Sequence, residues 1–128
     1  MEPVQSVMLG GEKHDPADVY WNNAVETMPL DQLRELQMAK LRKQLAYLQD
    51  NSRFYQKLFS EQGFDARDFR NISDIDGLPF THKNDLRMNQ EVEPPFGSHM
   101  AASPDQLIRV TTTAGTTGRA VVQAYTRR

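Results

Sequence analysis

The sequence predicts an α+β chain in which an N-terminal helical bundle is followed by a β-hairpin. Three observations carry this expectation. Residues 30–50, LDQLRELQMAKLRKQLAYLQD, place leucines at helical spacing along one broad face. Two β-branched runs, LIRVTT at 107–112 and VVQAYT at 121–126, read as strands with a threonine- and glycine-rich loop between them. The segment EVEPPFGSHMAASPDQ, with its Pro, Gly and Ser, separates helices from strands as loop or linker. The expected organisation is a leader over 1–18, a helical region over 19–92, a linker over 93–106 and the hairpin over 107–128.

Each element has a local reason. The leader carries Gly10, Gly11 and Asp15–Pro16, which do not favour regular structure. Tyr20 and Trp21, adjacent aromatics beside Val19, are expected to anchor the chain onto a core. Pro29 fits at or just before the first turn of the long helix, where a missing N–H costs nothing. Asp31 suits the positive end of the helix dipole. Leu33, Leu36, Leu41, Leu45 and Leu48 make the apolar face, with Met38 and Tyr47 at its margins. Asn51 and Ser52 offer N-caps for a second helix, RFYQKLFSEQ, and Gly63 is a natural stop after it. The stretch FDARDFRNISDIDGLPF reads as short helical turns closed by Pro79, after which Thr81 is placed to cap a turn through HKNDLRMNQ.

Composition excludes several functions. The chain has 128 residues, 38% hydrophobic and 25% charged, enough for one modest domain with a limited core. Fifteen basic against seventeen acidic residues give a net charge of −2, interspersed along the chain, so no nucleic-acid or anionic-membrane partner is expected. No cysteine is present, which removes disulfides, thiol nucleophiles and thiolate metal sites. His14, His82 and His99 lack ligand-like spacing, so no metal site is expected. Lys83 and Asp85 read as solvated helix charges. The N-terminus is not expected to act as a secretory signal, and no segment approaches the roughly 18 apolar residues of a membrane span, which points to a soluble, cytoplasmic protein.

The loop in TTTAGTTGRAVV, residues 111–122, is the chemically informative stretch. Gly115 and Gly118 allow sharp turning and close approach of a ligand to the backbone. Consecutive backbone N–H groups in such a turn can cradle an anion. Thr112, Thr113, Thr116 and Thr117 add hydroxyls, and Arg119 adds a permanent cation with a fork of donors. A plain hairpin turn would use similar residues. Composition alone leaves the two readings open. Neither G-x-x-x-x-G-K-[ST] nor G-x-G-x-x-G is present.

TAGTTGRAVVQAYT resembles the phosphate-binding loop of the adenylate-forming enzymes, in particular the phenylacetate–coenzyme A ligase group. YWNNAVETMPLDQLRELQMAKLRKQL, NSRFYQKLFSEQGFD, ISDIDGLPFTHKNDLR and PPFGSHMAASPDQLIRVTTTAGTTG are similar, in order and spacing, to the N-terminal region of that group. The resemblance covers residues 19–126 and implies the first piece of a larger α/β adenylating domain. It further implies activation of an aromatic carboxylic acid by ATP and Mg²⁺, release of pyrophosphate, and transfer of the acyl group to coenzyme A. Thr112, Thr113, Gly115, Thr116, Thr117, Gly118 and Arg119 would then bind the nucleotide phosphates. The pattern departs from the group at Arg119, where Lys is usual, at Ala120, where Pro is usual, and at Ala114, where a hydroxyl is common.

Members of the group are several times longer, and their adenine, acid and lysine-bearing parts lie downstream. The chain is therefore expected to be an N-terminal fragment with no catalytic residue of its own, inactive alone. As an isolated piece it is expected to form a homo-oligomer or a strand-exchanged dimer. The alternative is a helical interaction or oligomerisation module with no catalytic role, resting on the amphipathic helix at 30–50.

Overall fold

The computed structural model describes residues 19–115 and 119–127. Its element order is α1 (Asn23–Glu26), α2 (Leu30–Asn51), α3 (Arg53–Glu61), α4 (Lys83–Val92), β1 (Leu107–Thr112) and β2 (Val122–Thr126), with 3-10 turns at Ala66–Asp68, Ile72–Gly77 and Pro104–Gln106. The α+β expectation, helices first and a hairpin last, is borne out. Two compact units divide within α2, one ending at Glu35 and the other starting at Leu36.

In the first unit, α1 is capped reciprocally. The Val25 N–H donates to Asn22 Oδ1 at 3.1 Å, and the Asn22 N–H donates to Glu26 Oε1 at 2.7 Å. Pro29 sits immediately before α2, and its carbonyl accepts from the Leu33 N–H at 2.9 Å. Of the aromatic pair expected to anchor the chain, Trp21 is 78% and Tyr20 43% exposed, so neither side chain is buried. The four-residue helix beside them buries no side chain, so it offers no apolar face to receive them.

In the second unit, α2 contributes Leu45 to a core with Phe59 of α3 and Ala66 and Phe69 of the following turns. Met38, Leu41, Tyr55, Phe64 and Leu78 pack around these four. Phe59 meets Phe64 edge to face at 4.9 Å between centroids, an arrangement that aromatic quadrupoles favour. Burying side chains of this size gains roughly 1.5–3 kcal/mol each.

Polar groups set the chain path between these elements. Ser52 is fully buried and caps α3, accepting from the Tyr55 N–H while its hydroxyl reaches the His99 carbonyl at 3.1 Å. Gly63, at φ +65, takes the left-handed position after α3 that glycine tolerates. Gln49 grips the next turn with both ends of its amide: Oε1 accepts from the Ala66 N–H at 2.7 Å, and Nε2 donates to Asp65 Oδ1 at 3.0 Å. The cap of α4 falls on His82 rather than Thr81, because Asp85 Oδ2 reaches back to the His82 N–H at 3.0 Å.

Residues 93–106 are tied down throughout. The Phe54 N–H donates to the Ser98 carbonyl at 3.1 Å, Asn89 Nδ2 donates to Ser98 Oγ at 2.8 Å, and Glu93 pairs with Arg53. Gly97 has φ +74, and a Cβ there would fall 2.2 Å from Asn89 Oδ1. The two strands then pair antiparallel, Thr112 opposite Val122 and Val110 opposite Ala124, with an irregularity between Leu107 and Arg109.

Candidate functional site

The loop expected to hold an anion joins the ends of β1 and β2. Thr113 closes its base twice: the Thr113 N–H donates to the Val121 carbonyl at 3.0 Å, and the Val121 N–H donates to Thr113 Oγ1 at 3.0 Å. The threonine oxygen therefore acts as an acceptor here, and its hydroxyl proton is not spent in that bond. Val121 is buried at the same point, which keeps this base dry and its bonds strong. Thr112 ends β1 with an exposed side chain. Gly115 follows in the left-handed region, φ +65, where a side chain would strain the backbone. Thr116, Thr117 and Gly118 lie outside the described residues.

Arg119, on the far flank, is held from α4. Arg87 Nε donates to the Arg119 carbonyl at 3.0 Å. The Arg119 guanidinium faces Glu91, Nη1 to Oε1 at 3.5 Å, with both side chains well exposed. Between these two contacts, Gln90 makes the firmest attachment. Its Oε1 accepts from the Val122 N–H at 3.0 Å, and its Nε2 donates to the Val122 carbonyl at 2.7 Å. The amide thus supplies the outer edge of β2 with the bond pair that another strand would give. Gln90 is buried, so both its polar ends need these partners.

Arg87, Gln90 and Glu91 share one edge of α4 by their i, i+3, i+4 spacing. That periodicity was visible in the sequence, but nothing local marks a glutamine as the partner of a strand 32 residues away.

His99 backs Gln90. It is half-buried, with Nδ1 3.3 Å from Asn89 Oδ1 and Nε2 3.4 Å from Gln90 Nε2. The neutral tautomer with its proton on Nδ1 satisfies both neighbours, whereas a proton on Nε2 would face the Gln90 amide donor. Burial holds the imidazole below its usual range. A cavity of about 210 Å³ opens beside it, lined among others by Tyr47, Phe96, His99, Leu107 and Val122. Among the described residues no group of three His, Asp or Glu side chains could hold a metal ion, and no helix is long and apolar enough to cross a membrane.

No family model matches the chain. It is 38% identical over 103 residues to the phenylacetate-coenzyme A ligase of Thermus thermophilus, covering 80% of this chain and 22% of that protein. Against the phenylacetate-coenzyme A ligase of Escherichia coli it is 35% identical over 120 residues, covering 94% and 24%. In fold it matches a 2-hydroxyisobutyryl-CoA ligase solved with 2-HIB-AMP and CoA, with a TM-score of 0.80 and 30% identity over 90% of this chain and 24% of that one. The chain spans roughly a quarter of the length of the relatives it matches. These matches bear out the resemblance to the phenylacetate–coenzyme A ligase group.

Two outcomes are expected from this geometry. Replacing Gln90 with Leu keeps the volume but strands the Val122 N–H and carbonyl. Stability should fall by about 1–3 kcal/mol and Val122 amide exchange should accelerate; unchanged exchange at Val122 would contradict the clip. His99 supplies a pH test. As pH falls through the ordinary histidine range near 6.5, the unfolded chain takes up its proton before the folded one. Thermal stability should therefore fall from about pH 7 towards pH 5, with a shallower fall in His99→Gln. The low-lying carboxylates Asp65 and Asp74, held by N–H donors of Arg67 and of Arg70 and Asn71, add their loss at lower pH, starting as the unfolded carboxylates titrate around 3.8 and ending as the folded ones do below it. An identical pH slope in wild type and His99→Gln would remove the histidine from the account.

Proposed function

We propose that this chain is the opening part of an AMP-forming ligase that activates an aromatic carboxylic acid with ATP and joins it to coenzyme A. The observation that carries the reading is a loop whose two flanks are each held in place. Val121 secures Thr113, and Arg87 secures the Arg119 backbone. The phenylacetate–coenzyme A ligases and the adenylate-bearing ligase structure support it.

In this reading Thr112, Thr113, Gly115, Thr116, Thr117, Gly118 and Arg119 surround the β- and γ-phosphates. The donor set suits a polyphosphate: a threonine hydroxyl with a proton to give, a glycine backbone that a phosphate can approach, and an exposed guanidinium. ATP supplies the adenylate and the leaving pyrophosphate. The residues of this chain position that polyphosphate and offset its charge. Coenzyme A belongs to the proposal through the relatives and Mg²⁺ through the resemblance of the loop to the adenylate-forming enzymes; no acidic cluster among the described residues suits the ion. We place the full protein in the cytoplasm, with no nucleic-acid or membrane partner, and expect these 128 residues alone to be inactive.

In the full-length ligase, Arg119→Ala and Gly118→Val should slow aryl-acid-dependent ATP–pyrophosphate exchange by about 10²-fold, the scale of losing a preorganised charge-stabilising donor. Folding should change little, and normal exchange in both variants would refute the assignment.

For the chain on its own, exposed Ile108 and Val110 on β1 favour association through the hairpin as a homo-oligomer or strand-exchanged dimer. Light scattering after size exclusion should give more than a monomer mass, and a monomer at all concentrations would count against association.

A further inference from the structure

We propose that Glu91 is a displaceable counter-ion that holds the Arg119 guanidinium until a polyphosphate takes its place, and that Arg87 is the anchor about which the side chain swings. The proposal rests on the polyphosphate reading of the loop and adds a positioning residue to it.

Three observations lead there. First, the two halves of Arg119 are held differently. Its carbonyl takes a direct hydrogen bond from Arg87 Nε at 3.0 Å, whereas its guanidinium stands 3.5 Å from Glu91 Oε1. The second separation exceeds the roughly 2.7–2.9 Å of a tight charge-assisted bond. Second, the Arg119 and Glu91 side chains are 79% and 46% exposed, so solvent screens their attraction and little is lost when they part. Third, the helix position that carries Glu91 is kept in place, because the neighbouring Gln90 is buried and bound to Val122 at both ends of its amide.

A carboxylate on a fixed helix position therefore faces a guanidinium whose backbone is pinned and whose side chain is loosely held. A polyphosphate offers the fork of N–H donors several oxygens and more charge than one carboxylate does. While the ligand is absent, Glu91 keeps the guanidinium extended towards α4. When it arrives, the oxygens of the ligand replace Oε1, with no backbone movement at Arg119.

The test measures the affinity of inorganic tripolyphosphate for the 128-residue chain by calorimetry. It compares wild type, Glu91→Gln, Arg119→Ala, the double variant, and Glu93→Gln. Glu93 is the control, because its carboxylate pairs with Arg53 instead. Glu91→Gln should tighten binding about two- to fivefold, the range set by a weak exposed pair. It should have no effect in the Arg119→Ala background, and Glu93→Gln should leave affinity unchanged. No gain in Glu91→Gln, or an equal gain from Glu93→Gln or without Arg119, overturns the proposal.

Side-chain NMR of the Arg119 Nε–H reads the pairing with no ligand present, and guanidinium rotation should be faster in Glu91→Gln than in wild type. Equal rotation also overturns the proposal, whatever the calorimetry gives. Faster rotation combined with no tripolyphosphate binding by wild type would instead refute the phosphate reading of the loop, and the displacement with it.

Discussion

The hairpin depends on one buried glutamine. Val122 turns its N–H and carbonyl away from β1, and an antiparallel pair cannot satisfy them. Gln90 takes both, and because it is buried the cost of losing either bond is the desolvation of an unpaired group. The attachment fixes β2 relative to α4. It thereby brings the two neighbours of Gln90 on the helix, Arg87 and Glu91, to the residue that ends the loop.

The rest of the second unit follows the same economy. Its apolar core is small and lies among α2, α3 and the turns after them. Most of the hairpin is outside that core, and Val121 is its one buried residue among those described. Where apolar burial is thin, amide side chains bind backbone: Gln49 at Ala66, Gln90 at Val122. Such contacts are directional, so they specify a position better than apolar packing does. A loop that must present donors to a ligand benefits from that kind of support, since catalytic positioning tolerates only small displacements.

Local signals in the sequence located most of the elements. Pro29, Ser52 and Gly63 mark helix boundaries where the structure has them, because capping and φ restrictions act within a few residues. The two β-branched runs became the two strands. Long-range contacts were not legible. Thr81 lost the cap of α4 to His82 once Asp85 reached back. Tyr20 and Trp21 are not buried, although their apolar surface argued for burial. In the candidate site, the left-handed turn at Gly115 was legible from its residue type. The support from Arg87, Gln90 and Glu91 was hidden, because solvated helix residues and residues that grip a distant strand look alike in one sequence.

A loop pinned at Thr113 and at the Arg119 backbone is the centre of the functional account, and its most direct test is residue-resolved. Amide NMR shifts of the 128-residue chain, followed during titration with inorganic tripolyphosphate, should move at Thr113, Gly115 and Arg119. They should stay still around Arg53 and Glu93, a similar exposed pair that is not part of the Thr113–Arg119 loop. Shifts spread evenly over the basic side chains, or no shifts at all, would contradict the account and leave the stretch as a plain hairpin turn.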